Sequence, residues 1–281
     1  MKIGFIDYYL DEWHANNYPA WIAQASDGEM QVAYAFGLID SPLPGGRTTE
    51  QWCRDMGIER VDSMEKLIAL SDALVVLSPD NCEMHEALCQ LPLRSKKPTY
   101  VDKTFAPDGE TAARILKLAE DSGTPCYSTS ALRFAAEYAG LRRADIRAIS
   151  SWGPGNFETY SIHQLEPVMM LMGAAARRVM YLPGEDWYSL AIEFEDGRMA
   201  NLNGYKNGAP FALNAASASG NQVVTVESDF FHEFIVALVR FFRTGHIEVA
   251  HEETQRIMDV RGAGLRAQMR PGEWICVRHN V

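Results

Sequence analysis

Carboxylates and an aromatic side chain fill the first turn of the chain, at positions where nucleotide-binding proteins carry glycines. Residues 2–7 form a short apolar run and residues 13–25 have helical spacing, so the sequence opens with a strand, a turn and a helix. This unit begins doubly wound sheets, whose turn normally reads G-x-G-x-x-G so that the backbone can approach a pyrophosphate. The three glycine positions hold Asp7, Tyr9 and Glu12.

Negative charge in this turn would oppose a bound phosphate. Each pair of like charges about 4 Å apart costs roughly 4 kcal/mol at an effective dielectric constant of about 20. Two interpretations of Asp7, Asp11 and Glu12 stay open. They form a solvated helix N-terminus, where carboxylates interact favourably with the helix dipole, or they form a remodelled site for a cationic or hydroxyl-rich ligand.

A second group of candidate residues lies directly after predicted strands. The runs 73–77 and 98–101 are apolar and short, as expected for buried strands of a parallel sheet. In such sheets ligands bind at the carboxyl ends of the strands. The residues that follow these two runs are Ser78, Pro79, Asp102 and Lys103. Lys103 can also be an ordinary surface lysine at a strand end.

Composition limits the classes of partner. The 281 residues have a net charge of −11, which argues against binding to nucleic acid or to anionic membranes. No apolar run reaches the ~18 residues that a membrane helix needs. Five scattered cysteines fit reduced thiols in the cytoplasm, and no signal peptide or zinc-like spacing is present. We therefore expect a cytoplasmic protein without a metal site.

Hydrophobic periodicity divides the chain into two domains. Strands and helices alternate up to about residue 128, which predicts an α/β Rossmann-like parallel sheet domain over residues 1–128. Residues 129–281 predict an α+β domain with a mostly antiparallel sheet, since Asp196-Gly197 is a strong hairpin turn. The predicted strands and helices of this half are 146–150, 162–172, 178–182, 187–194, 198–205, 211–217, 222–226, 229–244 and 254–268, and the last dozen residues are expected to form a tail.

The ordered set of segments resembles the Gfo/Idh/MocA family of oxidoreductases. Residues 57–67, 73–80 and 101–106 follow the order and spacing of that family's first domain. Residues 161–173 resemble its central histidine motif, and residues 234–261 resemble its closing pair of helices. The resemblance covers nearly the whole chain.

This resemblance implies a domain that binds NAD or NADP and a second domain that holds a sugar- or polyol-like substrate. It places the family's lysine on Lys103 and its catalytic histidine on His163. The histidine would take the proton of a substrate hydroxyl while hydride leaves to the cofactor, and the lysine would stabilise the developing oxyanion. It also implies a homo-oligomer, because the family's sheets often pack face to face.

Further site residues follow from the same resemblance, and several depart from the family's pattern. The family's Glu-Lys-Pro is replaced by Asp102-Lys103-Thr104, and an aspartate four residues before the histidine is replaced by Thr159. The acidic residue expected after the second strand is replaced by Phe36-Gly37. The implied cofactor-binding residues are Asp7, Tyr9, Ser78, Pro79 and Asp102. The implied substrate-binding residues are Thr159 and Glu166.

Three hypotheses for function follow. The leading one is an NAD(P)-dependent oxidoreductase acting on a sugar or polyol. The second is a non-redox lyase or isomerase that uses Lys103 and His163 as acid and base. The third is a cofactor-less protein that binds a ligand or a partner, in which His163 is a helix-capping or core histidine.

Overall fold

The chain folds into two compact units in a computed structural model that describes residues 1–141 and 143–279. The first unit contains residues 1–106, 113–129 and 234–251. The second contains residues 107–112, 130–233 and the described residues from 252 onward. The predicted division lay between residues 128 and 129, with segment 107–112 in the first domain and segment 234–251 in the second.

The first unit is built on a six-stranded parallel sheet with the strand order β3-β2-β1-β4-β5-β6. This order confirms the predicted Rossmann-like fold. Strands β1 to β3 are added towards one edge of the sheet and strands β4 to β6 towards the other, so the strand order reverses between β1 and β4. The strands are β1 (Lys2–Asp7), β2 (Gln31–Gly37), β3 (Glu59–Arg60), β4 (Ala73–Val76), β5 (Thr99–Val101) and β6 (Cys126–Tyr127).

Helices connect these strands and begin at caps that the sequence supplies. Thr48 caps its helix in a capping box with Gln51, and Ser63 accepts a hydrogen bond from the amide of Lys66. The predicted helix over residues 82–91 is shorter in the structure, where it ends at Leu88. A 3₁₀ turn over Cys82–Met84 and one short helix replace it, because no side chain caps its start and Pro92 disfavours helix before it. The helices are α1 (Trp13–Ala25), α2 (Thr49–Met56), α3 (Met64–Leu70), α4 (His85–Leu88) and α5 (Gly109–Ser122).

Aromatic side chains close the core of the first unit beside its sheet. The ring of Phe234 lies 5.8 Å from that of Tyr18 and 5.5 Å from that of Tyr100, and all three side chains are buried. This cluster assigns the larger part of α7 (Phe230–Thr244) to the first unit. Phe5 and Val75 are fully buried in the central strands, which explains why these strands are continuous apolar runs.

The second unit contains a seven-stranded sheet with the order β12-β11-β7-β10-β9-β8-β13. All neighbours are antiparallel except β7 and β10, so the predicted mostly antiparallel sheet is confirmed. Within the expected tail, residues 274–276 form an edge strand beside β8. The strands are β7 (Ile146–Pro154), β8 (Ala176–Pro183), β9 (Trp187–Phe194), β10 (Met199–Tyr205), β11 (Ala212–Ser217), β12 (Gly220–Thr225) and β13 (Trp274–Cys276).

Two helices of this unit begin earlier than predicted. Helix α6 covers Phe157–Met172 and begins five residues before the predicted start. Asn156 caps it by accepting a hydrogen bond of 2.9 Å from the amide of Thr159. Helix α8 covers His251–Gln268. None of the helices in the described part of the chain is both long and apolar enough to cross a bilayer.

Candidate functional site

The N-terminus of α1 is capped by a side chain of the turn itself. Glu12 accepts hydrogen bonds from the amide of His14, at 2.6 Å, and from the amide of Ala15. These amides belong to the first turn of α1 and have no partner within the helix. The side chain of Glu12 is only 8% exposed, and burial raises its pKa to about 7. The expectation of a solvated helix N-terminus is therefore wrong for Glu12.

Asp7 ends β1 and is buried beside the same turn. Its Oδ1 accepts a hydrogen bond of 3.2 Å from the hydroxyl of Ser78, while Oδ2 has no hydrogen-bond partner among the described residues. Burial, together with the nearby charge of Glu12, raises the pKa of Asp7 well above its ordinary value. The hydroxyl of Ser78 also accepts a hydrogen bond from the amide of Tyr8, and the next residue, Pro79, is buried. These residues fix the turn to the end of β4.

Asp11 is neutralised by an arginine. Arg47 donates to Oδ1 of Asp11 from Nε at 2.9 Å and from a terminal nitrogen at 2.6 Å, and its backbone amide donates to Oδ2 at 2.8 Å. Burial opposes ionisation, but these hydrogen bonds outweigh it and lower the pKa of Asp11. Arg47 also donates to Asn16 on α1, so the second half of the turn is held rigidly against the helix.

A buried contact between a histidine and an aspartate joins α1 to the end of β5. Nδ1 of His14 contacts Oδ2 of Asp102, and the imidazole stacks on the ring of Tyr18 with centroids 5.0 Å apart. Tyr100 donates to Oδ1 of Asp102 at 3.2 Å. Burial alone would raise the pKa of Asp102, but His14 and the charge of Lys103 hold it below its ordinary value. Asp102 is thus an ionised carboxylate committed to internal partners.

Lys103 follows Asp102 and is half-buried, with a cis peptide bond to Thr104. The segment after it is attached to β4 by a fully buried histidine. Nδ1 of His85 lies 3.0 Å from the carbonyl oxygen of Phe105, and Nε2 contacts the carbonyl oxygen of Leu77. His85 therefore links the two strand ends that carry Ser78 and Lys103.

His163 lies on α6 of the second unit, where Ser130 orients its ring. The distance between Nδ1 of His163 and Oγ of Ser130 is 2.7 Å, and the same hydroxyl accepts a hydrogen bond from the amide of Leu132. Because Ser130 is completely buried and held by its own turn, it fixes the plane of the half-buried imidazole. The ring lies between Tyr160 and Phe211, with centroids 5.6 and 5.8 Å away.

One helical turn further along α6, a buried ion pair repeats this arrangement. Nε of Arg133 donates to Glu166 at 2.9 Å, and a second guanidinium nitrogen contacts Glu253. Burial raises the pKa of Glu166 despite the charge of Arg133. Ser130 and Arg133 are three residues apart, as are His163 and Glu166, so the 3₁₀ turn Ala131–Phe134 and α6 are joined at two successive positions.

The residues around His163 are fixed by backbone geometry. Gly155 has φ of +87°, and a Cβ there would lie 2.3 Å from Cγ of Tyr160, so only glycine allows this aromatic ring beside His163. Thr159 is exposed, and its hydroxyl donates to the capping side chain of Asn156 at 2.8 Å. Thr159 and His163 are four residues apart and so share one face of α6.

The fold is shared with solved dehydrogenase structures. A probable dehydrogenase from Thermotoga maritima and myo-inositol 2-dehydrogenase from Lactobacillus plantarum each have a TM-score of 0.79, at 12% and 13% identity, with 99% of both chains covered. GenD2 from gentamicin A biosynthesis, solved in complex with NAD, has a TM-score of 0.80 at 12% identity, covering 99% of this chain and 97% of its own. No family model and no curated protein matches the sequence. At these low identities, the structural similarity shows a common fold and no more.

The turn does not fit the dinucleotide that this fold implies. In doubly wound sheets the pyrophosphate binds the free amides at the N-terminus of the first helix. Here Glu12 already accepts hydrogen bonds from two of these amides, and the side chains of Tyr9 and Asp7 are buried in the same turn. Asp40, the nearest acidic residue after β2, accepts a hydrogen bond from the amide of Thr49. Among the predicted cofactor residues, Asp7, Ser78 and Asp102 make internal hydrogen bonds, and Tyr9 and Pro79 are buried.

The sequence predicted the candidate residues but not most of the side chains that contact them. The missed residues are Ser130, Arg133, His85 and the pairing of His14 with Asp102. Glu12 was named from the sequence, but its capping role was not, because glutamate is not a preferred cap. Within the described part of the chain, no three His, Cys, Asp or Glu side chains are arranged to hold a metal ion.

Proposed function

We propose that this chain is an enzyme that acts on a sugar- or polyol-like substrate, with His163 as its acid–base group. The observation that carries this proposal is the imidazole of His163, oriented by the buried hydroxyl of Ser130 at 2.7 Å between two aromatic rings. Histidine is the side chain best suited to exchange protons near neutral pH, provided that its ring is held in a productive orientation.

The geometry favours a reaction without hydride transfer. Oxidation of an alcohol needs an acceptor for the hydride, and the β1–α1 turn does not fit the dinucleotide that would supply it. In an elimination, a base removes a proton from carbon while an acid protonates the departing hydroxyl, so that water leaves and no oxidant is consumed. An isomerisation likewise moves a proton between carbons. We therefore propose a lyase or isomerase first.

An NAD(P)-dependent oxidoreductase is the second candidate. The similarity to dehydrogenases over nearly the whole chain favours it, since one of those structures is in complex with NAD. In this case the nicotinamide cofactor would have to be held in a rearranged turn, and Ser78, Pro79 and Asp102 remain its proposed contacts together with Asp7 and Tyr9.

Other residues enter the proposal in separate roles. Lys103 supplies a positive charge that can stabilise an oxyanion, and Thr159 supplies an exposed hydroxyl on the face of α6 that carries His163. Glu166 is proposed to hold the part of α6 that carries His163 in position through its ion pair with Arg133. A homo-oligomer and a cytoplasmic location, expected from the sequence, belong to the same proposal.

A turnover screen with matched variants tests this function. Purified protein is incubated with a panel of sugars, polyols and their keto and acid derivatives, with and without NAD and NADP. We expect His163→Asn to lower kcat/KM by about a hundredfold or more, as for loss of a general base. Lys103→Met is measured separately, and the exposed His232→Asn serves as the control. Turnover that His163→Asn leaves unchanged would remove His163 from the mechanism, and turnover that requires NAD or NADP would favour the second candidate.

A further inference from the structure

Glu12 stands where the phosphate of a bound nucleotide is expected. Its two carboxylate oxygens each accept one backbone hydrogen bond at the start of α1, from His14 and from Ala15. A phosphate at a helix N-terminus makes the same kind of contact, through oxygen atoms that accept hydrogen bonds from free amides. The carboxylate of Glu12 and a phosphate would therefore compete for the same donors.

The surroundings of Glu12 keep it in place. Glu12 is 8% exposed, and the neighbouring Tyr9 is also 8% exposed, so both residues are largely shielded from solvent. Arg47 is hydrogen-bonded both to Asp11 in the turn and to Asn16 in α1, which fixes the approach of the chain to the helix. The turn is thus complete without a ligand.

We infer that Glu12 is a built-in substitute for the cofactor phosphate, which closes the N-terminus of α1 to NAD and NADP and makes the first unit independent of nucleotide. Removal of this one side chain should expose the amides of His14 and Ala15. The first unit would then gain an anion-binding site at the position that doubly wound sheets use for a pyrophosphate. This inference does not depend on the reaction proposed for His163.

Binding measurements on the full chain test this inference without any assay of turnover. Calorimetric titration with NADH, NADPH and inorganic pyrophosphate is carried out on the unaltered protein, Glu12→Gly and Glu12→Ser. Serine is a preferred capping residue and leaves most of the volume of the glutamate empty, so Glu12→Ser guards against poor folding of the glycine variant. Thr48→Gly, which removes the cap of α2, controls for the general effect of losing a cap.

We expect no binding of NADH or NADPH to the unaltered protein at millimolar concentration. Pyrophosphate should bind Glu12→Gly or Glu12→Ser at least about tenfold more tightly than it binds the unaltered protein, corresponding to about 1.4 kcal/mol. Thr48→Gly should behave like the unaltered protein. Micromolar affinity of the unaltered protein for either nucleotide would overturn the inference, and so would folded Glu12 variants that gain no affinity for pyrophosphate.

Discussion

The ion pair between Arg133 and Glu166 offers a quantitative test of how the His163 region is held. The side chains of Arg133 and Glu166 are 9% and 5% exposed, so their charges are almost fully removed from water. The second partner of Arg133, Glu253, is 30% exposed. Arg133→Met removes the guanidinium and leaves Glu166 as a buried charge beside an apolar side chain.

The expected cost follows from this difference in burial. Loss of one partner of a buried pair costs about 3–5 kcal/mol, so Arg133→Met should lower the free energy of unfolding by that amount. Glu253→Gln should cost less than about 1 kcal/mol, because solvent screens a partly exposed pair. The double variant Arg133→Met/Glu166→Met replaces both charges by apolar groups and should recover all but about 1–2 kcal/mol of the loss.

Urea unfolding of the unaltered protein and the three variants, followed by circular dichroism and by native-state hydrogen exchange in α6, measures these differences in the free energy of unfolding. Hydrogen exchange assigns the loss to the second unit, since the two units need not unfold together. The reasoning would be refuted if Arg133→Met cost less than about 1 kcal/mol. A double variant that is no more stable than Arg133→Met would also refute it, because the unpaired buried charge of Glu166 is the basis of the estimate.

Three further predictions address the turn, the aromatic ring and the strand ends. Burial raises the pKa of Glu12 from 4.5 to about 7, so the stabilisation from its protonated form is full below pH 4.5 and is lost as pH rises through 7. This pH dependence of the free energy of unfolding should be on the order of 3 kcal/mol, and Glu12→Gln should abolish it in thermal unfolding measured across this pH range. Gly155→Ala should lower Tm more than Gly197→Ala, because both have φ above +80° but only position 155 brings a Cβ against Tyr160; equal losses would contradict this. Burial lowers the pKa of His85, so the neutral ring donates from one nitrogen only. His85→Leu should therefore cost about 1–3 kcal/mol in urea unfolding, because one buried carbonyl oxygen loses its donor, and no measurable loss would contradict this.

The parallel sheet could be predicted from the sequence because its strands are buried on both faces. Residues 73–77 are a continuous apolar run, and Ala73–Val76 indeed forms a central, fully buried strand. The edge strand Trp274–Cys276 could not be predicted in this way. It is short, follows Pro271-Gly272 and pairs with β8 far back in the chain, so its local sequence resembles a loop.

The contacts of the candidate site depend on long-range packing and left almost no sequence signal. His14 and Asp102 meet because β1 and β5 flank β4 in the same sheet, although 88 residues separate them in the chain. Ser130 and Arg133 lie at the first of several 3₁₀ turns, and this irregular segment separates them from α6 in the chain. The early start of α6 at Phe157 was missed because residues 153–155, Gly-Pro-Gly, indicated a turn and hid the capping role of Asn156.

Burial also changes the physical reason why the turn excludes a phosphate. The sequence suggested charge repulsion by Asp7, Asp11 and Glu12, at roughly 4 kcal/mol for each pair of like charges. In the structure Arg47 neutralises Asp11, burial raises the pKa of Asp7, and burial raises the pKa of Glu12 to about 7, so Glu12 is only partly ionised at neutral pH. The remaining reason for the exclusion of phosphate is that the side chain of Glu12 already accepts hydrogen bonds from the first amides of α1. Protonation alone would therefore leave the turn closed to nucleotide, whereas removal of the Glu12 side chain would open it.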